Sequence, residues 1–266
     1  MEIGELSERW RVRLAAWAIP DEIMAAAPTD PWGHAVGRFS RRTERLVADP
    51  TGPTLEVARE ALPDGGSVLD VGAGAGAAGL PLRPANLIAV DESPAMLEAL
   101  TRRAAELGVP VRTIEGRWPD VADRTPHADV VVSAHVVFNV PDLADFFAAL
   151  TTHAHRRVVL ELTERHPTSW LNPLWLHFHG VARPTTPTWQ DAAAIARALG
   201  NEVRERRHLA RDVRYETLEE LAASACRRLC LDPVRAAEVA GVARDLGLWP
   251  PEHTPWVTLW WDTRTG

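Results

Sequence analysis

The sequence predicts an α/β protein: a doubly wound, mostly parallel sheet of seven strands, with a helical cap on its N-terminal side and a helical insertion before the last strand. Three observations predict it. Short apolar runs at 68–71, 87–90, 109–114, 129–132 and 157–162 alternate with helical patterns at 94–107 and 143–153, as expected of βαβ units whose sheet is covered on both faces. Ahead of the first run the periodicity is helical throughout. Beyond the fifth, two more strand patterns, at 202–208 and 256–261, bracket a helical pair at 218–229 and 234–246.

In the cap, Ile3, Leu6, Trp10, Leu14 and Trp17 recur at three- and four-residue steps, so a first amphipathic helix ends before Pro20. A second covers 34–47 with Phe39, Leu46 and Val47 among many arginines. A third covers 53–62, with Pro53 suited to its first turn. The expected division is a cap at 1–52 and the sheet domain at 53–266. Within the latter, a Trp-rich loop at 163–190 is expected to be irregular, because Pro167, Pro173, Pro184 and Pro187 interrupt it, and the helical insertion covers 211–249. Asp232-Pro233 has the form of a helix cap inside that insertion.

With 266 residues, 46% hydrophobic and 24% charged, the chain can bury one sizeable core. A net charge of −7 argues against a large nucleic-acid surface. All 29 basic residues are Arg, which a GC-rich coding bias explains. The acidic start lacks the basic and apolar regions of a secretory signal, and no apolar run approaches the roughly 18 residues that cross a bilayer. The two cysteines, Cys226 and Cys230, lie four apart in a predicted helix, a poor disulfide geometry, and read as core residues of a reduced, cytoplasmic protein.

The run Val68-Leu69-Asp70-Val71-Gly72-Ala73-Gly74-Ala75-Gly76 reads as a buried strand, a glycine loop and a helix start. Glycines there let the backbone approach a ligand, and a following helix presents free N–H groups to it. Gly72, Gly74 and Ala77, with Asp91 about twenty residues on, also satisfy the looser dinucleotide fingerprint. Asp70 favours a different ligand: a carboxylate two residues before the first glycine would repel a pyrophosphate but could hold the cationic amino-acid end of a sulfonium cofactor. An Asp that caps its own turn is the plainer alternative.

From Ser67 to Leu162 the chain resembles the class I, Rossmann-like S-adenosylmethionine-dependent methyltransferases, and its overall pattern is similar to that of actinobacterial members. The segment from Asp70 to Gly76 matches the family's first motif. Val90-Asp91-Glu92-Ser93-Pro94-Ala95-Met96-Leu97 looks like the second, and Glu115-Gly116-Arg117-Trp118-Pro119 takes the third position, near the adenine. The resemblance implies S-adenosylmethionine as donor, S-adenosylhomocysteine as product, and cofactor contacts at Asp70, Gly72, Gly74, Gly76, Asp91, Glu92, Met96, Gly116, Arg117, Trp118 and Ser133. Where many members have Asp after the third-motif glycine, this chain has Arg117 and Trp118, which leaves the adenine to backbone groups and the Trp118 ring. The stretch 129–139 resembles the fourth strand and the turn after it, where the transferred methyl sits.

Methyl transfer needs alignment and exclusion of water, and a base where the acceptor must lose a proton. His135 has the intrinsic pKa for that, although it could also contact the cofactor or fill the strand end. Asn139 could orient an acceptor or cap the helix expected near Pro141. Eleven Trp against one Tyr is unusual. Trp32, Phe39, Trp170, Trp175 and His177 are the expected acceptor-side wall, favouring a small, flat or apolar molecule. The pair His177 and His179 lacks the company a metal site needs, and no metal is expected. The expected activity is methyl transfer to oxygen or nitrogen of a small molecule, with neither nucleic acid nor membrane as partner. An NAD-dependent oxidoreductase, a non-catalytic cofactor-binding regulator and an RNA methyltransferase are the alternatives.

Overall fold

A computed structural model describes residues 2–32, 36–210 and 215–263, without the side chains of 36–38. Helices α1 (Ile3–Ala15), α2 (Asp21–Ala25), α3 (Val36–Ala48) and α4 (Pro53–Ala61) precede the sheet. The sheet and its crossovers follow as β1 (Ser67–Val71), β2 (Asn86–Asp91), α5 (Pro94–Leu107), β3 (Val111–Glu115), β4 (Ala128–Ala134), α6 (Leu143–His153) and β5 (Ala154–Thr163). Then come α7 (Asn172–His179), α8 (Trp189–Ala198), β6 (Arg204–Leu209), α9 (Leu218–Arg228), α10 (Ala236–Asp245) and β7 (Pro255–Asp262). The expected start of the second cap helix at His34 and the first residues of the insertion, 211–214, lie outside the described residues.

The seven strands form one sheet in the order β3-β2-β1-β4-β5-β7-β6. Strands β1 to β5 pair in parallel, with Asp70 beside Ala89 on one side and Val132 on the other. Strand β7 enters antiparallel between β5 and β6, bringing Thr258 opposite Glu161 and Trp256 opposite Thr163. Alternation along each strand sends side chains to two cores. Leu69, Val131, Leu160 and Leu162 pack against α1, α6 and α8, whereas Val68, Val130, Val132 and Val159 pack against α4 and α5. A third cluster joins α7, α9 and α10 through Leu174, Trp175, Ala222, Cys226 and Val239, and takes in Ile19 from the cap. Both cysteines are buried there as free thiols. No described helix is long and apolar enough to cross a membrane.

Two local expectations fail. No α-helix follows the glycine loop: turns lead into a single 3₁₀ turn, Leu80–Leu82. Gly79, Pro81 and Pro84 within six residues explain this, since glycine raises the entropic cost of a helix and each proline removes a donor. The stretch 163–190 is also not irregular throughout. Pro173 sits in the first turn of α7, where its missing N–H costs nothing, and Gly180 ends that helix at φ 64°. Helix α8 opens on a capping box in which Thr188 and Asp191 satisfy each other's backbone.

Candidate active site

The glycine loop leaves β1 at the carboxyl edge of the sheet. Gly72 and Gly76 have φ 68° and 91°, and a Cβ there would come within 2.2 Å of Val136 Cγ2 or 2.5 Å of Leu80 Cδ1. Backbone conformation and space therefore both require glycine at these two positions. Gly74 differs, because among the described residues a Cβ there would meet only the Phe39 ring, in ordinary contact at 4.0 Å. Phe39 of α3 thus lies directly over the loop at Gly74. Phe39 packs with Ala75, Met96 and Ala99, so it covers the glycine loop, apart from Trp170 and Trp175, with which the sequence expected it to form one wall.

Asp91, at the tip of β2, holds the loop in place: one carboxylate oxygen accepts from Gly74 N–H at 2.8 Å and the other from Ser93 N–H at 2.9 Å. Each oxygen keeps a lone pair for a further donor. Ser93 caps α5 by accepting from Met96 N–H, and this places Met96 beneath Phe39. Gly116, at φ 145°, bonds Asp91 O through its N–H at 3.0 Å, bringing the end of β3 alongside. Glu92 and Arg117 are exposed and 3.8 Å apart at the rim.

Asp70 and Ser133 do not open into this cradle. Asp70 is 1% exposed and accepts from Gly79 N–H at 2.8 Å, so it ties the far end of the loop to β1. Its Oδ1 is buried with no hydrogen-bond partner among the described residues. Burial pushes the carboxyl up to about 7; the Gly79 bond opposes this and the nearby charge of Asp91 adds to it. The Ser133 hydroxyl, also buried, donates to Val71 O at 2.8 Å, fastening β4 to the end of β1.

His135 follows β4 directly and has φ 61°, an uncommon conformation for a non-glycine residue. Its N–H donates to Glu161 O at 2.7 Å, and its Nε2 lies 3.0 Å from Glu161 Oε1. Glu161, on β5, also accepts from Arg42 on α3 at 2.7 Å and from the Thr54 hydroxyl on α4 at 2.6 Å. Thr54 in turn meets Thr258 of β7 at 2.8 Å. Burial pushes the Glu161 carboxyl up, but the His135 imidazole beside it, the Arg42 charge and the Thr54 hydroxyl together hold it well below the usual carboxylate range. Trp256 closes the group, with Arg42 4.8 Å over its ring and His135 edge-on at 4.7 Å. Sequence reasoning missed Glu161 and Arg42. The available signal was an acid inside the apolar run Val158-Val159-Leu160-Glu161-Leu162.

The other expected site residues lie elsewhere. Trp118 is 5% exposed and meets His153 edge-on at 4.8 Å, at the end of α6 where β5 begins, so its ring has turned into the core, away from the carboxyl edge. Trp175 is buried in the α7–α9–α10 cluster, with the Arg183 guanidinium 4.8 Å over its ring, and Trp170 packs against Tyr215. Trp175 is drawn inward because α7 needs an apolar face to dock, and Trp170, in the 3₁₀ turn before that helix, is half-buried. His177 is exposed on that helix. Trp32 is 43% exposed and borders a cleft with Ile19, Leu171 and Trp175. Asn139 is exposed at the end of a 3₁₀ turn and caps nothing: α6 starts at Leu143, with Asp142 before it.

The strand order with its reversed β7 and flanking helices is the Rossmann-like methyltransferase fold. Residues 68–156, from β1 into β5, match the family model described as Methyltransferase domain, and S-adenosylmethionine is the cofactor of such a domain. Among solved structures, the YcgJ protein of Bacillus subtilis is 18% identical with a TM-score of 0.55, the match covering 80% of this chain and 99% of that one. A cyclopropane-fatty-acyl-phospholipid synthase-like protein of Lactobacillus casei is 17% identical at TM-score 0.54, covering 91% and 98%. Magnesium protoporphyrin IX methyltransferase of Synechocystis, solved with bound S-adenosylhomocysteine, is 16% identical at 0.51, covering 95% and 98%. Among curated proteins, none matches the sequence.

Proposed function

We propose that this chain transfers a methyl group from S-adenosylmethionine to an oxygen or nitrogen of a small, flat or apolar molecule. The observation that carries the donor half is Asp91: a carboxylate at the tip of β2, bonded to the glycine loop at Gly74, which Phe39 covers. Its remaining lone pairs suit the ribose hydroxyls, and Met96 and Phe39 supply an apolar wall for the adenine. The reversed β7 also departs from the all-parallel six-stranded order of dinucleotide-binding sheets.

When bound, the cofactor supplies a sulfonium methyl whose carbon–sulfur electron pair stays on sulfur as the acceptor attacks. The chain's own residues do the rest. The Gly72–Gly76 loop lets the backbone approach the donor, α3 excludes water from above through Phe39, and His135 takes the proton from the acceptor. Trp32 and the edge of Trp175, which border the cleft beside Leu171, favour a flat or apolar acceptor.

Calorimetry with S-adenosylhomocysteine, S-adenosylmethionine and NAD tests the donor. Binding of both sulfur compounds is expected, and binding of NAD alone would overturn the proposal. Asp91→Ala removes the ribose contact and the loop's anchor together, so S-adenosylhomocysteine affinity is expected to fall roughly tenfold or more. Unchanged affinity in a folded variant would remove Asp91 from the site.

A further inference from the structure

Arg183 is half-buried and has no acidic partner among the described residues, whereas the partly buried Arg42 and Arg157 are paired, the first with Glu161 and the second with Glu60 and Asp262. Burial pushes the pKa of its guanidinium down, and no carboxylate opposes this. Two of its five N–H groups are taken: Nη1 donates to Ala18 O at 2.9 Å, and Nη2 donates to Trp17 O. Its Nε is buried with no hydrogen-bond partner among the described residues. The guanidinium lies 4.8 Å over the Trp175 ring and 5.8 Å from that of Trp17, and these faces offset part of the cost of its charge. A neutral donor could hold the two carbonyls as well. What the clamp leaves over is a positive charge and a buried N–H, and both are costly without an anion.

Arg183 lines the cleft that Trp32, Thr168, Leu171 and Trp175 border. That cleft lies beside the carboxyl edge of the sheet. The Thr168 hydroxyl is hydrogen-bonded to His166 Nδ1 at 2.8 Å, and the His166 ring stacks on Trp17 at 4.0 Å and meets Phe138, in the turn after β4, edge-on at 5.6 Å. Counting its open side the cleft measures about 220 Å³, and it is tight within, with room for about one water-sized group. One small polar head fits there, and a ring attached to it stays at the mouth beside the exposed Trp32.

Building on the methyl-transfer reading above, we infer that the acceptor carries a carboxylate and that Arg183 selects it: the carboxylate enters the cleft and accepts hydrogen bonds from the donors that the two backbone carbonyls leave free, while the planar body of the acceptor lies against Trp32. Between a flat and an apolar acceptor, the cleft thus favours a flat one with an anionic end. A guanidinium suits this end because two of its N–H groups can meet two carboxylate oxygens at once. Its position is set beforehand by the Trp17 and Ala18 carbonyls, so little ordering is left for the ligand to cost. Arg228, from α9, brings a second positive side chain to the same wall.

The test is the binding of benzoate, and of benzamide as an uncharged molecule of nearly the same shape, to the full chain loaded with S-adenosylhomocysteine. Calorimetry gives the affinities, and ¹H–¹⁵N spectra of the arginine Nε–H groups locate the contact, with Arg183→Lys used for assignment. Benzoate is expected to bind at least about tenfold more tightly than benzamide and to shift the Arg183 Nε–H signal saturably. Arg183→Gln should abolish the preference, and Arg183→Lys should keep part of it, because a point charge remains without the fork. Equal affinity for the two molecules, no saturable binding of benzoate, or benzoate binding that leaves the Arg183 signal unmoved overturns the inference on the wild-type chain, without any variant having to fold. An undiminished preference in an Arg183→Gln chain with unaltered circular dichroism overturns it too. Failure of the wild-type chain to bind S-adenosylhomocysteine overturns the donor reading instead, and the benzoate titration repeated without S-adenosylhomocysteine keeps the two failures apart.

Discussion

Two buried carboxylates in this sheet titrate in opposite directions, and their neighbours explain why. Asp70 receives one backbone N–H and lies near the like charge of Asp91, so burial prevails and its pKa rises to about 7. Glu161 gathers an imidazole, a guanidinium and a hydroxyl, so the partners prevail over burial. For Asp70 the folded-state pKa lies above the unfolded value of about 3.9, and the native chain binds the extra proton between the two. Its contribution to stability is full below about pH 4, declines as pH rises, and becomes a fixed penalty above about pH 7. Asp70→Asn should therefore be more thermostable than wild type at pH 8 by up to about 4 kcal/mol, with the advantage fading toward pH 4. Melting temperatures across that range check it, and a constant difference would contradict it. The motif around Asp70 was legible in the sequence, but its direction was not, because a strand residue's contact with Gly79 depends on how the loop turns. Glu161 went unread for a related reason: its side-chain neighbours come from α3, α4 and the turn after β4, none of them near it in the chain.

Elements with a clean period were legible to within a residue or two, as α5 and α6 were, because each has a proline or an apolar start and a defined stop. The glycine-loop helix and α8 were not. The first failed because a fingerprint implies a helix that Gly79, Pro81 and Pro84 then prevent. The second failed because its capping box, Thr188 with Asp191, lay inside a stretch that looked broken by prolines. Helix α1 illustrates what a correct periodicity is worth. Trp10 is 1% exposed, stacks on Phe138 at 5.8 Å and donates its Nε1–H to Val140 O at 2.8 Å. It thus docks the cap on the turn that follows β4 and His135. Trp10→Ala should cost about 3–5 kcal/mol in denaturant unfolding, and Trp10→Phe clearly less, since it keeps most of the buried area and loses one hydrogen bond. Equal losses would mean that the hydrogen bond, not the packing, holds α1.

At the scale of the molecule, the seven-stranded, mostly parallel architecture was readable from the alternation of apolar runs with helical patterns. The separation of a cap from a sheet domain was readable only as sequence, because Leu6 and Trp10 belong to the same buried cluster as Val131 and Leu160. Tryptophan fluorescence and far-ultraviolet circular dichroism should therefore report one coincident unfolding transition; two separated transitions would show a cap that folds by itself. The place of β7 bears on how such a chain is made. It comes after every other strand in the sequence, yet it lies inside the sheet, with β5 on one side and β6 on the other. A ribosome releases it after both its neighbours, so β6 waits without its hydrogen-bonding partner and β5 keeps a bare edge until then. The same late strand carries Trp256 and Thr258 into the group around Glu161. A chain interrupted before β7 would hold its glycine loop and still lack Trp256 and Thr258, so the loop would take shape during synthesis before the group around Glu161 could close.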